Sequence, residues 1–244
     1  PGVSTTGNNS FGTVFVAGKN LVPIPAAGTT TVLTHGEASS RSLTITNSLH
    51  SSPTITCWHY PVFMVALTKQ DIRRAHTRAR KELDPVHKAQ KDAAITRAVV
   101  KRAQGLKVSA YFPLASEPGG AGFIDKLYDA TAELWLPLSG KDGVLSWSLY
   151  QGPESLKPGA LGIAEPTGKI YDSSVLASLD VLFIPALAID NNGMRLGKGA
   201  GYYDRALASL NPRPQTIAIV YAEEVLDAVP HDDHDQAVDL VITD

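Results

Sequence analysis

The sequence predicts an α/β domain with a mostly parallel sheet covered on both faces. Three observations carry that expectation. From about residue 106 onward, short apolar runs alternate with helical stretches, the spacing of β-α units. One of those runs, "SLDVLFIPALAI", is the most apolar in the chain and reads as a central strand buried on both sides. The 244 residues are 43% hydrophobic, enough for a sizeable core.

Taken in order, the elements begin at Thr68, a good N-cap for a long helical pattern. Ile72, Ala75, Ala79, Leu83 and Val86 recur at spacings of three and four, which puts them on one expected inner face. Asp84-Pro85 splits the run, with Asp84 capping a second helix that continues through Val100 and stops by Gly105. "LKVSAYFPL" is expected to be the first buried strand, and 123–131 a helix. "AELWLPL" and "VLSWSLY" follow as strands around the turn "SGKDG". Residues 151–172, rich in Gly and Pro, are expected to be loop. After "SLDVLFIPALAI" come a helix over 202–210, the strand "QTIAIVYA", a short helix in "EEVLDAV" and a last strand, "DLVIT".

Ahead of Thr68 the composition changes. Residues 1–60 hold 19 Ser and Thr and only three charged residues, Lys19, Glu37 and Arg41. They are expected to form an extension of low structural commitment (1–63), with the α/β domain occupying 64–244. Three readings of the extension stand side by side: a linker, residues upstream of a start at Met64, or a small β appendage built from "GTVFVAG" and "SLTITNS".

Charge and cysteine content narrow the class. The formal charge is −2 overall, although residues 69–107 carry twelve Lys and Arg against four acids. A basic segment of that kind suits a phosphate backbone, but aromatic residues are not interleaved with the basic ones, so a nucleic-acid partner is not expected. No apolar run approaches the roughly 18–20 residues needed to cross a bilayer, so no membrane partner is expected either. The one cysteine, Cys57, and the lack of a basic segment followed by an apolar one at the start favour a cytoplasmic protein.

The chemistry concentrates in "RLGKGAGYYDR", Arg195 to Arg205. Gly197, Gly199 and Gly201 lack a Cβ, so their backbone can approach a ligand closely. The loop lies between an apolar strand and a helix, where outward-facing amides make an anion site, with phosphate the natural guest. Its spacing is neither that of the P-loop nor that of the dinucleotide fingerprint. Arg195 and Lys198 add positive charge, and Asp204 supplies an acid where phosphates would bring Mg2+. Lys69 and Arg73, four apart, form a second basic element that could close over a nucleoside triphosphate, while Arg74, Arg78 and Lys81 read as solvated. Glu117 follows the first strand at a carboxyl end, where open α/β sheets bind ligands; it could accept hydrogen bonds from a ring N–H or an amino group. In "PHDDHDQAVD", His231, Asp232, His234 and Asp235 imitate a metal cluster but have no second, distant set of soft ligands. A single carboxylate serving as the second acid for Mg2+ suits that segment better.

Together these segments resemble the 5-formyltetrahydrofolate cyclo-ligases, also called methenyltetrahydrofolate synthetases. "DVLFIPALAIDNNGMRLGKGAGYYDRAL" is similar to the family's signature region, "KQDIRRAHTRAR" to its opening helix and "YFPLASE" to its strand ending in a substrate-binding Glu. "LGIAEP" and "VPHDDHDQAVDLVIT" match two further segments in the right order, so that the resemblance covers roughly 66–244. It implies a three-layer α/β sandwich, Rossmann-like, and an enzyme that uses ATP and Mg2+ to convert 5-formyltetrahydrofolate to 5,10-methenyltetrahydrofolate. The family is commonly monomeric.

Carried over by position, the resemblance implies an ATP loop of Arg195, Leu196, Gly197, Lys198, Gly199, Ala200, Gly201, Tyr202 and Tyr203, completed by Lys69 and Arg73. Asp204 and Asp235 fall at magnesium positions, and Phe112 and Glu117 at folate-contacting ones, with Lys198 and Tyr202 touching substrate as well. Arg195 and Lys198 would neutralise charge during phosphoryl transfer. Leu161 departs from the aromatic residue frequent before Gly162 in the family, and Glu223 and Glu224 stand where Gln is frequent. Three rivals differ in class or activity: a nucleic-acid binder, a catalytically idle folate-binding relative, and a sugar-phosphate isomerase or CoA-transferase relative. The intact Arg195–Asp204 loop together with the Lys69/Arg73 fork argues for the cyclo-ligase.

Overall fold

The computed structural model describes residues 43–44, 56–57, 67–140, 143–159 and 162–244. The chain divides into two compact units, Pro1–Phe63 and Met64–Asp244. In the first, strands β1 (Leu43–Thr44) and β2 (Thr56–Cys57) pair antiparallel. The "GTVFVAG" stretch and Leu161 lie outside the described residues.

The second unit opens as its capping residues dictate. Thr68 accepts from the Asp71 amide at 3.2 Å while the Asp71 carboxylate accepts from the Thr68 amide, a reciprocal cap that starts α1 (Lys69–Glu82). Asp84 accepts from the Val86 and His87 amides and Pro85 occupies the first helical position of α2 (Pro85–Ala103). The inner face of α1 differs from the expected one. Of the expected face, Ile72 is buried and Leu83 half-buried against the core, but Ala75 and Ala79 are exposed and Val86, in α2, is 64% exposed; His76 and Arg80 turn inward in their place. The reason is what α1 packs against: apolar Ala188, Leu196 and Val229 meet Ile72, and a buried carboxylate, Glu224, takes Arg80. Small alanines have less surface to gain from burial than an arginine with a partner in place.

The main sheet has six strands. β3 (Lys107–Ser109), β8 (Val181–Pro185), β11 (Gln215–Ile219) and β13 (Leu240–Ile242) run parallel with β4 (Glu133–Ser139), and β5 (Leu145–Leu149) closes one edge antiparallel. The order is β13-β11-β8-β3-β4-β5, with Val108 opposite both Val181 and Leu134, and Phe183 opposite Ile217. Period-two alternation distributes the side chains between two cores. Leu134, Leu136, Val181, Phe183, Ile217 and Ile219 pack with α2 and α3 (Phe123–Ala130) on one face. Trp135, Leu182, Ile184, Ala218 and Val220 point the other way, against α4 (Tyr202–Ala208) and the 3-10 turns at Ser173–Ser178. Helix, sheet and helix make the three layers.

Three expected elements come out differently. "SLDVLFIPALAI" is not one strand. It breaks after Pro185, which lacks an N–H for the ladder, and resumes as β9 (Ala188–Asp190) in a separate sheet. There β9 pairs antiparallel with β10 (Arg195–Leu196) and parallel with β12 (Val225–Leu226). "EEVLDAV" forms one 3-10 turn, Ala222–Glu224, before entering β12; Glu224 accepts from the Tyr221 amide and ties the turn down. The 151–172 loop contains a short hairpin, β6 (Leu156–Pro158) with β7 (Ala164–Pro166).

Candidate active site

A cleft of about 490 Å3 opens at the carboxyl ends of β3, β4 and β8. Its walls include Lys69 and Arg73 from α1, Phe112 and Glu117 from the segment after β3, the whole run from Arg195 to Asp204, and Asp235. Every site residue expected from the sequence therefore borders one cavity. Sequence reasoning missed other wall residues, among them Arg80, Tyr111, Leu145, Ile163 and Glu165. Arg80, Tyr111, Ile163 and Glu165 lie inside segments that carry the resemblance but were not singled out there; Leu145 is marked only by the fold.

The glycine loop joins β10 to α4 and uses its three glycines differently. Gly199 (φ +105°) and Gly201 (φ +65°) adopt backbone that other residues disfavour. Gly197 has no such need: a Cβ there would meet nothing within 4 Å and would project into open cleft. Two arginines bond the loop's carbonyls. Arg73 Nε donates to the Gly197 carbonyl at 2.9 Å, and Arg205 donates to the Ala200 carbonyl at 2.7 Å and to the Gly143 carbonyl. Those two carbonyls are engaged, and the loop's own amides are available to an anion in the cleft only to the extent that its backbone turns them there. Since α4 has only seven residues, shorter than the expected helix, those amides matter more than a helix dipole.

Charged groups around the loop are interlocked. Arg195, 6% exposed, donates from Nη1 to Asp204 Oδ1 at 2.9 Å, and its buried Nε has no partner among the described residues. Asp204 Oδ1 also accepts from the Gln236 amide at 3.1 Å, fastening the 230s segment to the loop. Lys69 Nζ bridges Asp232 at 2.6 Å and Asp235 at 2.5 Å. Burial alone would lower the Lys69 pKa, but the two carboxylates outweigh it and raise the ammonium's pKa above its ordinary value. Among the described residues, no three His, Cys, Asp or Glu side chains are grouped to hold a metal ion. Asp204 and Asp235 each offer hard carboxylate oxygens already balanced by a cation.

Across the cleft, Glu117 is 6% exposed. It receives Lys198 Nζ at 2.7 Å on one oxygen and the Leu114 amide at 2.9 Å on the other. Burial, and next the charge of Glu117, push the Tyr203 phenol well above its ordinary pKa, so it stays protonated. Below them Arg80 and Glu224 form a doubly bonded pair, with both contacts at 2.6 Å, and Arg80 also donates to the Ala186 carbonyl. A bare anion-facing loop on one side and a buried carboxylate on the other suit a ligand pair of which one carries phosphates and the other ring N–H donors.

A model of the 5-formyltetrahydrofolate cyclo-ligase family matches residues 65–244. A 5-formyltetrahydrofolate cyclo-ligase of Mycolicibacterium smegmatis is 38% identical over 149 residues, 57% of this chain and 76% of the relative. One from Haemophilus influenzae is 28% identical over 57% of this chain and 77% of its own length, and an Arabidopsis thaliana relative is named as mitochondrial. Among solved structures, a 5,10-methenyltetrahydrofolate synthetase of Aquifex aeolicus superposes with a TM-score of 0.60 at 26% identity, covering 71% of this chain and 88% of that one. That of Mycoplasma pneumoniae gives 0.59 at 22% identity over 72% of this chain and 99% of its own, a likeness of fold.

Proposed function

Because this chain belongs to the 5-formyltetrahydrofolate cyclo-ligase family, we propose that it converts 5-formyltetrahydrofolate to 5,10-methenyltetrahydrofolate at the expense of ATP, releasing ADP and phosphate. The observation that carries the reading is the shared cleft: the Arg195–Asp204 loop and Glu117 border one cavity and are joined by the Lys198–Glu117 contact.

A formamide carbonyl is a weak electrophile and its oxygen a poor leaving group. Transfer of the γ-phosphoryl group to that oxygen makes it one that can leave. N10 of the folate then attacks the activated carbon, its proton departs, and phosphate leaves with the former formyl oxygen as the five-membered ring closes. The chain's task is alignment and charge neutralisation. The loop amides from Leu196 to Tyr203 and Arg73 cradle the phosphates, Lys69 orders the acids beside them, and Lys198 and Arg195 offset the charge that develops on the transferred group. Glu117 receives ring N–H donors of the folate, and Phe112 and Tyr202 supply flat apolar contact. Asp204 and Asp235, with phosphate oxygens, match the one or two carboxylates that Mg2+ commonly takes; bound there, the ion would act as a Lewis acid on the phosphates. We take the protein to act as a monomer in the cytoplasm.

Gly197→Val tests the nucleotide half of this reading. The added side chain enters open cleft from backbone that any residue adopts, so the melting temperature should hold while the KM for ATP rises by roughly tenfold or more. An unchanged KM for ATP would overturn it.

A further inference from the structure

Glu117 sits on an irregular segment, yet the backbone from 117 to 120 is fastened peptide by peptide. Lys88 Nζ donates to the Glu117 carbonyl at 3.2 Å, and Tyr111 Oη to the Pro118 carbonyl at 2.8 Å. Thr96 Oγ1 donates to the Gly119 carbonyl at 3.0 Å, and the Phe123 amide to the Gly120 carbonyl at 3.4 Å. The Gly119 amide donates to Asp92 Oδ1 at 3.1 Å. Three of these partners, Lys88, Asp92 and Thr96, recur every four residues along one face of α2.

Asp92 is the hub. It is 7% exposed, and besides Gly119 its Oδ1 accepts from Tyr221 Oη at 2.8 Å, while its Oδ2 takes Lys88 Nζ at 2.5 Å. Gly120 (φ +63°) passes so close that a Cβ there would lie 2.7 Å from Asp92 Oδ2. One buried carboxylate thus joins α2, the segment carrying Glu117 and Tyr221, which follows β11 and leads the Ala222–Glu224 turn. Its bond to Lys88 orients the cation that grips Glu117's own carbonyl. Nothing in the reaction needs this carboxylate, and its side chain is not part of the cleft wall.

We propose that Asp92 is a positioning residue for folate recognition: it sets the height and direction of the Glu117 carboxylate, and acts on substrate only through it. The inference rests on the reading of Glu117 as the folate-binding carboxylate. Distances between that carboxylate and its ligand are set by the 117–120 backbone, which has no sheet or helix of its own to hold it. A shift of about 1 Å there is costly to an oriented hydrogen bond.

The test is a kinetic cycle with 5-formyltetrahydrofolate and ATP on the full chain, using Asp92→Ala, Asp92→Asn, Glu117→Gln and the double variant Asp92→Ala/Glu117→Gln. Asp92→Ala should raise the KM for 5-formyltetrahydrofolate by roughly tenfold or more and leave the KM for ATP unchanged. Asp92→Asn, which keeps an acceptor for Gly119 and Tyr221, should recover most of the loss. In the Glu117→Gln background, Asp92→Ala should add nothing further. A folded Asp92→Ala protein with normal folate KM, or an equal loss with and without Glu117, overturns the proposal. Should Asp92→Ala fail to fold, Thr96→Val removes only the donor to the Gly119 carbonyl; it should show the same split on a smaller scale, and a normal folate KM there is equally fatal. If Glu117→Gln itself leaves folate KM unchanged, the folate reading fails and takes the proposal with it. That result is distinct from Glu117 mattering and Asp92 not.

Discussion

Gly199 shows what a single position contributes. Its φ of +105° disfavours any side chain, and a Cβ would meet the Arg73 guanidinium at 3.3 Å, so substitution there disturbs both the loop and the arginine beside it. Gly199→Val should lose ATP turnover and also melt earlier, by a shift worth about 1–3 kcal/mol; normal turnover would count against the nucleotide loop. Asp204 is held by Arg195 and the Gln236 amide. Asp204→Ala should shift the Mg2+ titration of activity to higher concentration, and an identical titration would argue against a metal role. The residues of this loop were legible because their pattern is contiguous: bare glycines, then cations, then an acid. Arg80 was not, since nothing in "RARKE" distinguishes it from Arg78, whose side chain is 79% exposed. Its partner, Glu224, lies 144 residues away.

At the scale of elements, local chemistry predicted starts and stops better than it predicted faces. Thr68 and Asp84-Pro85 cap where their side chains say they should, because a cap needs only its neighbours. The inner face of α1 depended instead on a distant carboxylate, and the break at Pro185 on where the second half of an apolar run found a new sheet. The Arg80–Glu224 pair is accordingly a point of fragility. Glu224→Ala leaves a buried guanidinium unpaired and should cost about 3–5 kcal/mol in chemical denaturation, whereas a loss under about 1 kcal/mol would mean the pair is not structural. Lys91 links α2 to Asp244 at 2.6 Å and Glu223 at 2.8 Å. Burial would raise the Asp244 carboxyl, but Lys91 and the Ala222 amide outweigh it and hold its pKa below the ordinary value. A depressed carboxyl pKa stabilises fully above the unfolded value of about 3.9, and that stability is lost as pH falls through the folded value. Asp244→Asn should therefore melt roughly 2–4 °C below the parent at pH 7, with the gap narrowing as pH falls below about 3.9; a gap that does not narrow in acid contradicts the assignment.

For the whole molecule, alternation of strands and helices made the three-layer class legible, and ordered motifs over 66–244 pointed to the family whose model matches 65–244. What composition and motifs left open was the support beneath the site: the network of Lys88, Asp92, Thr96 and Tyr221 joins residues up to 129 apart and exists only once the sheet has formed. The central claim is that one cleft brings a nucleotide and a formylated folate together for ring closure. It is tested most directly by following the absorbance of the methenyl product while protein, 5-formyltetrahydrofolate, ATP and Mg2+ are combined, then omitting each component in turn. The account predicts a rise that requires all four. A rise that persists without ATP, or no rise with all four present and the protein folded, would contradict it.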